Sequence, residues 1–439
     1  MPSEPLTLAV VGSGAAGTLA AWRLRARLGP RAAIHVFDKE PQVGGRAHHI
    51  QFAGQRIELG GTLIHTDNRR LIELAHVLGV QLAPRRVDVL GGADQLAVWT
   101  GREFLVRAPE SGIGLPLALV RRFGPVNLLR LQSLAKRAKA AWNSTYALQE
   151  AGRIFETPEE LIRAAGLRPY IGVSLADLAA TRHISRKLVD EFVTPVLRDM
   201  YNQTSDIVAF AGLVGLAGAG LAGGSLVSVV DGNATLLEKA LAQIVAEVHL
   251  STTVTAVEPS DDGVWLTAGG QRTRFDAVVL AAPLELAGVD LPGVDLPDLH
   301  RRHQEVHVTL VAAEADPAFF GGGPVPVDVL TTNGPDTVFK AFAQTGHSRS
   351  LGVPIWKFFS GQELDDAFLA RVFRRVEDVH RHLWQAYPVL DPAPRFRPFR
   401  LAQGVYQIND FESAVSTLET DGTVGWSVAD LVVRDLEAV

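Results

Sequence analysis

The sequence predicts an α/β fold in which a nucleotide-binding domain with a parallel sheet is interleaved with an α+β domain made of a mixed sheet and a helical cap. Three observations predict it. A glycine-rich turn joins a strand pattern to a helix pattern at 6–29, strand patterns recur at 248–258 and 275–283, and a helix pattern closes the chain after residue 417. Because one compact site must collect these scattered segments, we expect the first domain to comprise residues 1–85, 225–290 and 400–439, and the second 86–224 and 291–399.

The amino-acid composition excludes several classes of protein and of functional site. The chain has 439 residues, 47% of them hydrophobic and 21% charged, with a formal net charge of −6. This balance is typical of a globular protein of two or three domains and does not indicate nucleic-acid binding. The chain has no cysteine, which excludes disulfides, thiolate catalysis and zinc–thiolate sites. Its 13 histidines form no H-E-x-x-H or similar pair, so we predict no metal site.

The N-terminal residues MPSEPLTLAVVG run directly into a strand pattern. They lack the basic region and the long apolar stretch of a secretory signal. We therefore expect a cytoplasmic location, and the Ala- and Arg-rich composition favours a bacterial source.

The first glycine motif has the context that dinucleotide binding requires. LTLAVV at 6–11 is typical of a buried parallel strand, TLAAWRLRARLG at 18–29 predicts a helix, and IHVFDKE at 34–40 supplies a second strand. Gly12 permits the tight turn, Gly14 admits a pyrophosphate and Gly17 lets the helix pack on the strand. The helix N-terminus attracts phosphate, and an acid at the end of the second strand can accept from a ribose hydroxyl. The predicted contacts of this Rossmann-like domain are Gly12, Gly14, Ala15, Ala16, Gly17, Asp38 and Lys39.

A second G-x-G-x-x-G, at Gly218, Gly220 and Gly223, lacks this context. The residues before it predict a small-residue helix and those after it predict a strand, so the order is inverted. We interpret it as a turn between two packed elements, which leaves one nucleotide domain. The run 207–230 carries no charge, but six glycines interrupt it. It therefore predicts a buried helix, turn and strand rather than a membrane span.

Two further glycine pairs indicate which dinucleotide cofactor the chain binds. Gly44-Gly45-Arg46 follows Asp38 closely, and Gly60-Gly61-Thr62 lies in IELGGTLIH. These segments resemble the superfamily of FAD-dependent amine oxidases, phytoene desaturases and protoporphyrinogen oxidases. The resemblance implies that Gly45 and Arg46 lie along the FAD diphosphate and that the second pair passes beside the flavin ring. The chemistry agrees, because an arginine offers two parallel donors to a phosphate.

Two distant segments of the chain extend this resemblance. VHLSTTVTAVE at 248–258 matches a region in which the residue at Val254 meets the adenine. GVYQINDFESAVSTLETDGTVGWSVADLV at 404–432 matches the closing flavin segment, with a helix that starts near Thr417. The positive end of such a helix would face the flavin edge that gains charge on reduction. The residues that match cofactor contacts here are Glu412, Leu418 and Glu419.

Several stretches resemble a narrower family, the prenylcysteine oxidases or prenylcysteine lyases. They include ELGGTLIHTDN, FVTPVLRDMYNQTSDIVAFAGLVGLAG, SLVSVVDGNATLL, PIWKFFSGQEL and INDFESAVSTLE. The resemblance implies an FAD-dependent oxidase that removes hydride to flavin N5 from the carbon between the sulfur and a double bond of a prenylated thioether. Oxygen would be the acceptor, and the products would be an aldehyde, a thiol and hydrogen peroxide. The cofactor carries this chemistry, while the protein supplies orientation and a dry channel.

Two other functions remain open. The same hydride site could serve a desaturase, isomerase or cyclase of a terpenoid, and a flavin-containing lipid-binding protein without turnover is an alternative of another class. In each case we expect FAD to be non-covalent, because cysteine is absent and only His65 keeps a chance of attachment.

The segment 113–165 alternates apolar and basic residues and breaks at Gly124-Pro125. We interpret it as amphipathic helices that form a cap with a solvated basic face. Peripheral contact with a membrane surface is the alternative.

Two side chains are candidates for chemistry. His65, in ELGGTLIHTDN, is the predicted catalytic residue, because an imidazole near a flavin could manage a proton or the incoming water. The alternative is that it orders the loop before a helix. Lys357 in PIWKFFS is similar to the lysine that contacts flavin N5 through water in amine oxidases, but it lies in a different segment, so we do not predict that role for it.

Overall fold

A computed structural model describes residues 5–84, 94–109 and 114–438. The strands are β1 (Leu6–Val11), β2 (Ala32–Phe37), β3 (His49–Phe52), β4 (Gln55–Glu58), β5 (Leu63–His65), β6 (Leu82–Pro84), β7 (Asp94–Trp99), β8 (Phe104–Pro109), β9 (Leu226–Val229), β10 (Glu247–His249), β11 (Val254–Ser260), β12 (Gly263–Ala268), β13 (Gln271–Phe275), β14 (Ala277–Leu280), β15 (His303–Ala315), β16 (Asp328–Thr331), β17 (Ala341–Ser348), β18 (Val353–Ser360), β19 (Phe373–Pro388), β20 (Arg400–Ala402) and β21 (Val405–Gln407).

The helices follow the same numbering. They are α1 (Ala15–Leu28), α2 (Arg69–Val77), α3 (Gly114–Phe123), α4 (Pro125–Glu150), α5 (Pro158–Ala164), α6 (Leu175–Thr181), α7 (Arg186–Leu188), α8 (Thr194–Tyr201), α9 (Ala209–Gly218), α10 (Asn233–Gln243), α11 (Leu284–Ala287), α12 (Asp366–Val372) and α13 (Leu418–Glu437).

A six-stranded sheet in the order β10-β2-β1-β14-β21-β20 forms the nucleotide half. All its neighbours are parallel except the β20–β21 pair at one edge. Its strands come from the beginning, the middle and the end of the chain, within the ranges assigned to the first domain. The boundary set at 85–86 lies outside the described residues, so the exact domain limits stay a prediction.

The glycine turn after β1 has the geometry that its sequence predicts. Gly12 has a φ of +111°, and a Cβ there would lie 2.7 Å from the Ala281 carbonyl oxygen. A Cβ on Gly17 would lie 1.9 Å from the Gly12 carbonyl oxygen. Only glycine allows this approach, because any side chain would push α1 away from the turn.

A three-stranded meander, β11-β12-β13, covers the sheet face opposite α1. Val257, Leu266 and Phe275 pack there against Ala9 and Phe37 of the sheet. This insertion between β10 and β14 places Val254, the first residue of β11, next to the end of β2.

The second half is built on a mixed sheet of seven strands in the order β19-β15-β18-β17-β16-β7-β8. The β16–β7 pair is parallel, and the other neighbours are antiparallel. Helices α3–α9 form the cap beside it. The α/β fold, with a Rossmann-like domain interleaved with a mixed sheet and a helical cap, is therefore confirmed.

The glycine-rich run 207–230 forms α9, a turn and β9, as predicted. Gly220 and Gly223 have φ of +88° and +73°, so the second glycine motif is a turn and not a second nucleotide loop. In the described part of the chain, no helix is long and apolar enough to cross a bilayer.

The first and last helices meet at two glycines of α13. A Cβ on Gly425 would lie 2.2 Å from the Ala16 carbonyl oxygen, and one on Gly422 would lie 2.7 Å from Leu19 Cδ2. The backbones therefore touch where α1 leaves the glycine turn. This contact holds the N-terminal end of α13 beside the nucleotide loop.

We predict that Gly425→Ala destabilises the protein by about 1–3 kcal/mol, because the new methyl group must separate two packed backbones. Helix propensity alone would favour alanine by about 1 kcal/mol, so the sign distinguishes packing from propensity. Denaturant unfolding followed by circular dichroism measures the change.

Gly218→Ala is the matched control, because its Cβ would meet only Met200 Cε at an ordinary 3.6 Å. It should leave the free energy of unfolding unchanged or raise it by up to about 1 kcal/mol, because only helix propensity changes there. A Gly425→Ala variant as stable as this control would contradict the close-contact interpretation.

Candidate cofactor and substrate site

One large cavity, of about 1680 Å³, lies between the two halves. It exceeds the roughly 300–1,000 Å³ of a typical small-molecule pocket. Its lining begins at the glycine turn and runs to the cap, so it brings together nearly all of the predicted site residues. Those that line it are Gly12, Gly14, Ala15, Ala16, Asp38, Lys39, Gly45, Arg46, Gly60, Gly61, Thr62, His65, Val254, Leu418 and Glu419. Gly17 and Glu412 lie behind this lining.

Asp38 organises the nucleotide end of the cavity. Its Oδ2 accepts from the Ser13 amide at 2.8 Å and from Ser13 Oγ at 2.5 Å, and its Oδ1 accepts from the Glu40 amide. The carboxylate thereby fixes the glycine turn to the end of β2. Its predicted contact with a ribose stays a prediction, as does the adenine contact of Val254.

Arg46 reaches away from the turn into a buried ionic network. Its guanidinium donates to both Glu412 oxygens, to the Ala386 carbonyl and to Ser416 Oγ. Asp421, in the first turn of α13, lies 3.5 Å from the same guanidinium. The predicted contact between Arg46 and a phosphate stays a prediction. The carboxylates that surround the guanidinium could not be found from the glycine motif.

Burial and charge act in opposite directions within this network. Burial favours neutral Glu412, but Arg46 outweighs it and holds the pKa of Glu412 below its usual range. Burial and the nearby Glu412 charge raise the pKa of Asp421 well above its usual range. One arginine thus balances one of the two carboxylates and leaves the other poorly stabilised.

The Gly60-Gly61 pair is held from two sides, by Lys357, for which the sequence predicted no cofactor role, and by Asn233, which the sequence did not single out. Lys357 Nζ, on β18, donates to the carbonyls of Glu58 and Gly60 at 3.1 and 2.9 Å. Asn233, at the start of α10, donates from Nδ2 to the Gly61 carbonyl and from its amide to Glu58 Oε1. Burial lowers the pKa of Lys357, and the Glu58 charge opposes this effect. No sequence pattern links these positions, which lie far apart in the chain.

His65 lines the cavity with both ring nitrogens engaged by backbone. Nε2 lies 2.8 Å from the Gly223 carbonyl, and Nδ1 accepts from the Asp67 amide at 3.1 Å. The ring therefore fastens the glycine-rich turn before β9 to the loop before α2. This geometry favours the loop-ordering alternative. The catalytic role of His65 stays a prediction.

Helix α13 begins at Leu418, with Thr417 as its N-cap, as the sequence predicted. The amides of Leu418 and Glu419 belong to the first turn, whose partial positive charge favours an electron-rich group. The Glu419 side chain turns away and accepts from the amides of Arg70 and Leu71 and from the Tyr146 hydroxyl. It therefore caps α2, a role the sequence did not reveal.

Apolar side chains line much of the other end of the cavity, beside a few polar ones such as Asp199 and Lys357. Helices α4, α8 and α9 face strands β16–β18 there, and the lining residues include Trp142, Phe192, Val196, Leu213, Val214, Leu330, Ala341, Phe342 and Phe359. We call this region the apolar arm. It has the character of a site for a hydrocarbon tail.

The residues present fit a bound dinucleotide. The glycine turn leaves its backbone open to the cavity, and Gly61 has no atom within 4 Å of the position that a Cβ would take. Among the described residues, the buried Asp421 Oδ1 and Trp384 Nε1 have no hydrogen-bond partner, although both residues line the cavity. Open backbone and uncommitted polar atoms are what a large polar cofactor requires.

Fold and site together define a Rossmann-type dinucleotide-binding protein with the architecture of flavin-dependent amine oxidases. A profile described as an NAD(P)-binding Rossmann-like domain matches residues 10–78. The prenylcysteine lyase profile matches residues 116–438, so the chain belongs to the prenylcysteine lyase family.

Curated relatives extend over nearly the whole chain. The chain is 28% identical to a farnesylcysteine lyase of Arabidopsis thaliana over 451 residues, covering 98% of this chain and 88% of the relative. It is 26% identical to prenylcysteine oxidase 1 of Homo sapiens over 459 residues, covering 97% and 88%. Both organisms are eukaryotes, so a bacterial source stays a prediction.

Solved structures share the fold at low identity. A cyclohexylamine oxidase from Brevibacterium oxydans superposes with a TM-score of 0.68 at 17% identity and covers 99% of this chain and 100% of its own. A fatty acid isomerase from P. acnes superposes with a TM-score of 0.58 at 14% identity and covers 99% of each chain.

We predict that Asp421→Asn stabilises the flavin-free protein at neutral pH. The folded chain retains the Asp421 proton above pH 3.8, the ordinary value at which the unfolded chain releases it. The free energy of unfolding must therefore fall as the pH rises from 3.8 toward the raised pKa of Asp421, by up to about 1.4 kcal/mol per pH unit. The uncharged amide should remove that part of the pH dependence, as thermal melts between about pH 5 and 8 can measure.

Asp430→Asn on the same helix is the control with the opposite sign. Asp430 is buried and accepts from Arg23 and Arg27, each at 2.8 Å, so its loss should cost about 1.5–3 kcal/mol. If both variants lower the melting temperature equally, Asp421 is not the poorly stabilised carboxylate.

Proposed function

We propose that this protein is an FAD-dependent oxidase that cleaves a prenylated thioether. One observation carries the proposal: a single cavity joins a dinucleotide turn and a helix N-terminus to the apolar arm. Its relatives named farnesylcysteine lyase and prenylcysteine oxidase 1 supply the substrate class. A thioether, oxygen and water would yield an aldehyde, a thiol and hydrogen peroxide.

The bound flavin would supply the hydride acceptor, and the residues of this chain would prepare its surroundings. Lys357 and Asn233 hold the carbonyls of Gly60 and Gly61 and so keep the loop beside the ring in one position. The first turn of α13 presents its amides where negative charge develops. The apolar arm would orient the hydrocarbon tail and exclude water from the reacting carbon.

We propose further that the flavin is FAD, held without a covalent bond. Cysteine is absent, and both ring nitrogens of His65 are engaged with backbone. Oxygen is the proposed electron acceptor, because the described residues contain one dinucleotide turn, after β1, and the second glycine motif is a plain turn. A cytoplasmic location is part of the same proposal.

The substrate is tested with cysteine thioethers that carry five, ten, fifteen or twenty carbons. Each buried methylene contributes about 0.8 kcal/mol, so one isoprene unit should tighten binding by about two to three orders of magnitude until the apolar arm is filled. Anaerobic flavin reduction measures affinity and rate, while aldehyde and peroxide assays under air identify the products. Acid precipitation of the same preparation should release all of the yellow colour.

A larger side chain in the apolar arm should shorten the tail that fits. Val214, half-buried on α9, lines the arm, so Val214→Trp should weaken the longest thioethers most and leave flavin content unchanged. Val338→Trp, at an exposed position away from the cavity, is the control. Affinity independent of chain length, or reduction by small amines alone, would overturn the proposal. Reduction without peroxide or aldehyde favours a desaturase, isomerase or cyclase, and ligand binding without reduction favours a carrier.

We also propose that helices α3 and α4 contact an anionic lipid surface. Leu117, Val126 and Leu129 expose 53%, 57% and 62% of their surface. Residues 114–149 contain six basic residues and no acidic one, and Arg121, Arg130, Lys136 and Arg137 are exposed. Exposed apolar side chains beside unopposed basic ones suit the boundary of a membrane. The sequence alone favoured a solvated cap; exposure of the leucines supports the alternative.

Vesicle sedimentation tests this contact. The full chain should pellet with vesicles that contain phosphatidylserine, and less so at high salt. Leu117→Asp combined with Leu129→Asp should abolish pelleting. Val245→Asp, at an apolar position that is 80% exposed and lies outside α3 and α4, should not change pelleting. Equal behaviour of the two variants, or no pelleting of the wild type, would show that the face is only a solvated cap.

A further inference from the structure

Three potential metal ligands meet at the edge of the parallel sheet, away from the cavity. Strand β10 pairs in parallel with β2, so that Glu247 lies opposite His35 and His249 lies opposite Phe37. Alternate residues of a strand share a face, so all three polar side chains project from the same side of the sheet. Their ligand atoms all lie within 4.8 Å of one another.

The spacing of these atoms suits a small transition-metal ion. His35 Nδ1 lies 3.2 Å from His249 Nε2. Glu247 Oε2 lies 3.4 Å from His35 Nδ1, and Glu247 Oε1 lies 3.4 Å from His249 Nε2. Bonds of about 2.0–2.1 Å at tetrahedral angles separate neighbouring ligand atoms by about 3.3–3.4 Å. The two nitrogens therefore stand near the separation of two corners of a coordination tetrahedron, and the exposed Glu247 carboxylate lies within reach of a third.

The surroundings hold the two imidazoles in place. The His35 and His249 rings are stacked with centroids 5.5 Å apart, and Phe37 stacks on His249 at 4.5 Å. Phe275 of β13 packs edge-on against His35. The rings are largely buried, with 22% and 29% of their side-chain surface exposed, while Glu247 is 65% exposed and free to adjust. Two rigid ligands and one adjustable ligand form a preorganised site.

We propose that His35, Glu247 and His249 bind a divalent metal ion of the zinc class. Two neutral imidazoles and one carboxylate are ligands that Zn²⁺ prefers, and three protein ligands leave one position for water. The sequence predicted no metal site because His35 and His249 are 214 positions apart and form no short motif.

The ion would fasten an edge strand that leads to the cofactor. The Asp38 amide donates to the His249 carbonyl, and the Thr252 amide donates to the Asp38 carbonyl. Two residues later the chain reaches Val254, at the nucleotide end of the cavity. An ion that ties β10 to β2 would therefore stabilise residues 250–254, which lead from β10 to the nucleotide end of the cavity.

Calorimetric titration of the full chain with Zn²⁺ tests the site, using protein without a histidine tag after dialysis against a chelator. We expect one ion per chain. Loss of an outer-shell partner alone costs about 10–100-fold in metal affinity, so Glu247→Gln and His249→Ala should weaken binding at least tenfold. Glu247 is too exposed for its substitution to disturb the fold. Co²⁺ should give absorption bands beyond the flavin bands in the wild type and not in either variant.

His300→Ala is the matched control, because His300 pairs with a neighbouring acid, Asp298, at an exposed position. It should bind Zn²⁺ as the wild type does. His382→Ala examines the other histidine cluster, in which His382 stacks on His48 and His380. Loss of the ion in that variant, equal binding by Glu247→Gln and the wild type, or no stoichiometric uptake would each overturn the proposal.

Discussion

The contact between α1 and α13 is the constraint on which the nucleotide half depends. The backbone of Gly425 packs directly against the backbone of Ala16, at the start of α1 and next to the glycine turn. Because nothing but hydrogen fits between the helices, their separation is fixed within narrow limits. The turn and the α13 N-terminus, which would face opposite ends of the same cofactor, are thereby set at one distance from each other.

The buried ionic network continues this constraint toward the second half. Arg46 follows Gly44-Gly45, Glu412 precedes α13 and Ala386 lies on β19, so one guanidinium joins three distant segments. Such a network adds little net stability, because burying charges is costly. It does specify geometry, since a displaced segment would leave a charge without its partner. The poorly stabilised Asp421 shows that this part of the site is not optimised for the stability of the empty protein.

The sequence revealed features that depend on local pattern. The turn at Gly12–Gly17, the start of α13 at Thr417 and the helix–turn–strand at 207–230 each follow from residues adjacent in the chain. The roles of Lys357, Asn233 and Glu419 do not. Their partners lie 297, 172 and 349 positions away, and side-chain pairs between distant elements leave no periodic signal. The family resemblance indicated the cofactor segments, but it could not show that both ring nitrogens of His65 make hydrogen bonds to the backbone.

The order of strands in the parallel sheet has a consequence for how the protein is made. β1 pairs with β14, and β14 pairs with β21. Leu8 can therefore pair only after Ala277 has been synthesised, and Val278 only after Val405 has been synthesised. The contact with α13 requires Gly425, which is synthesised long after Ala16. The nucleotide half therefore cannot close before α13 has been synthesised. Until then its apolar strands lack partners, and unpaired apolar strands are prone to aggregation.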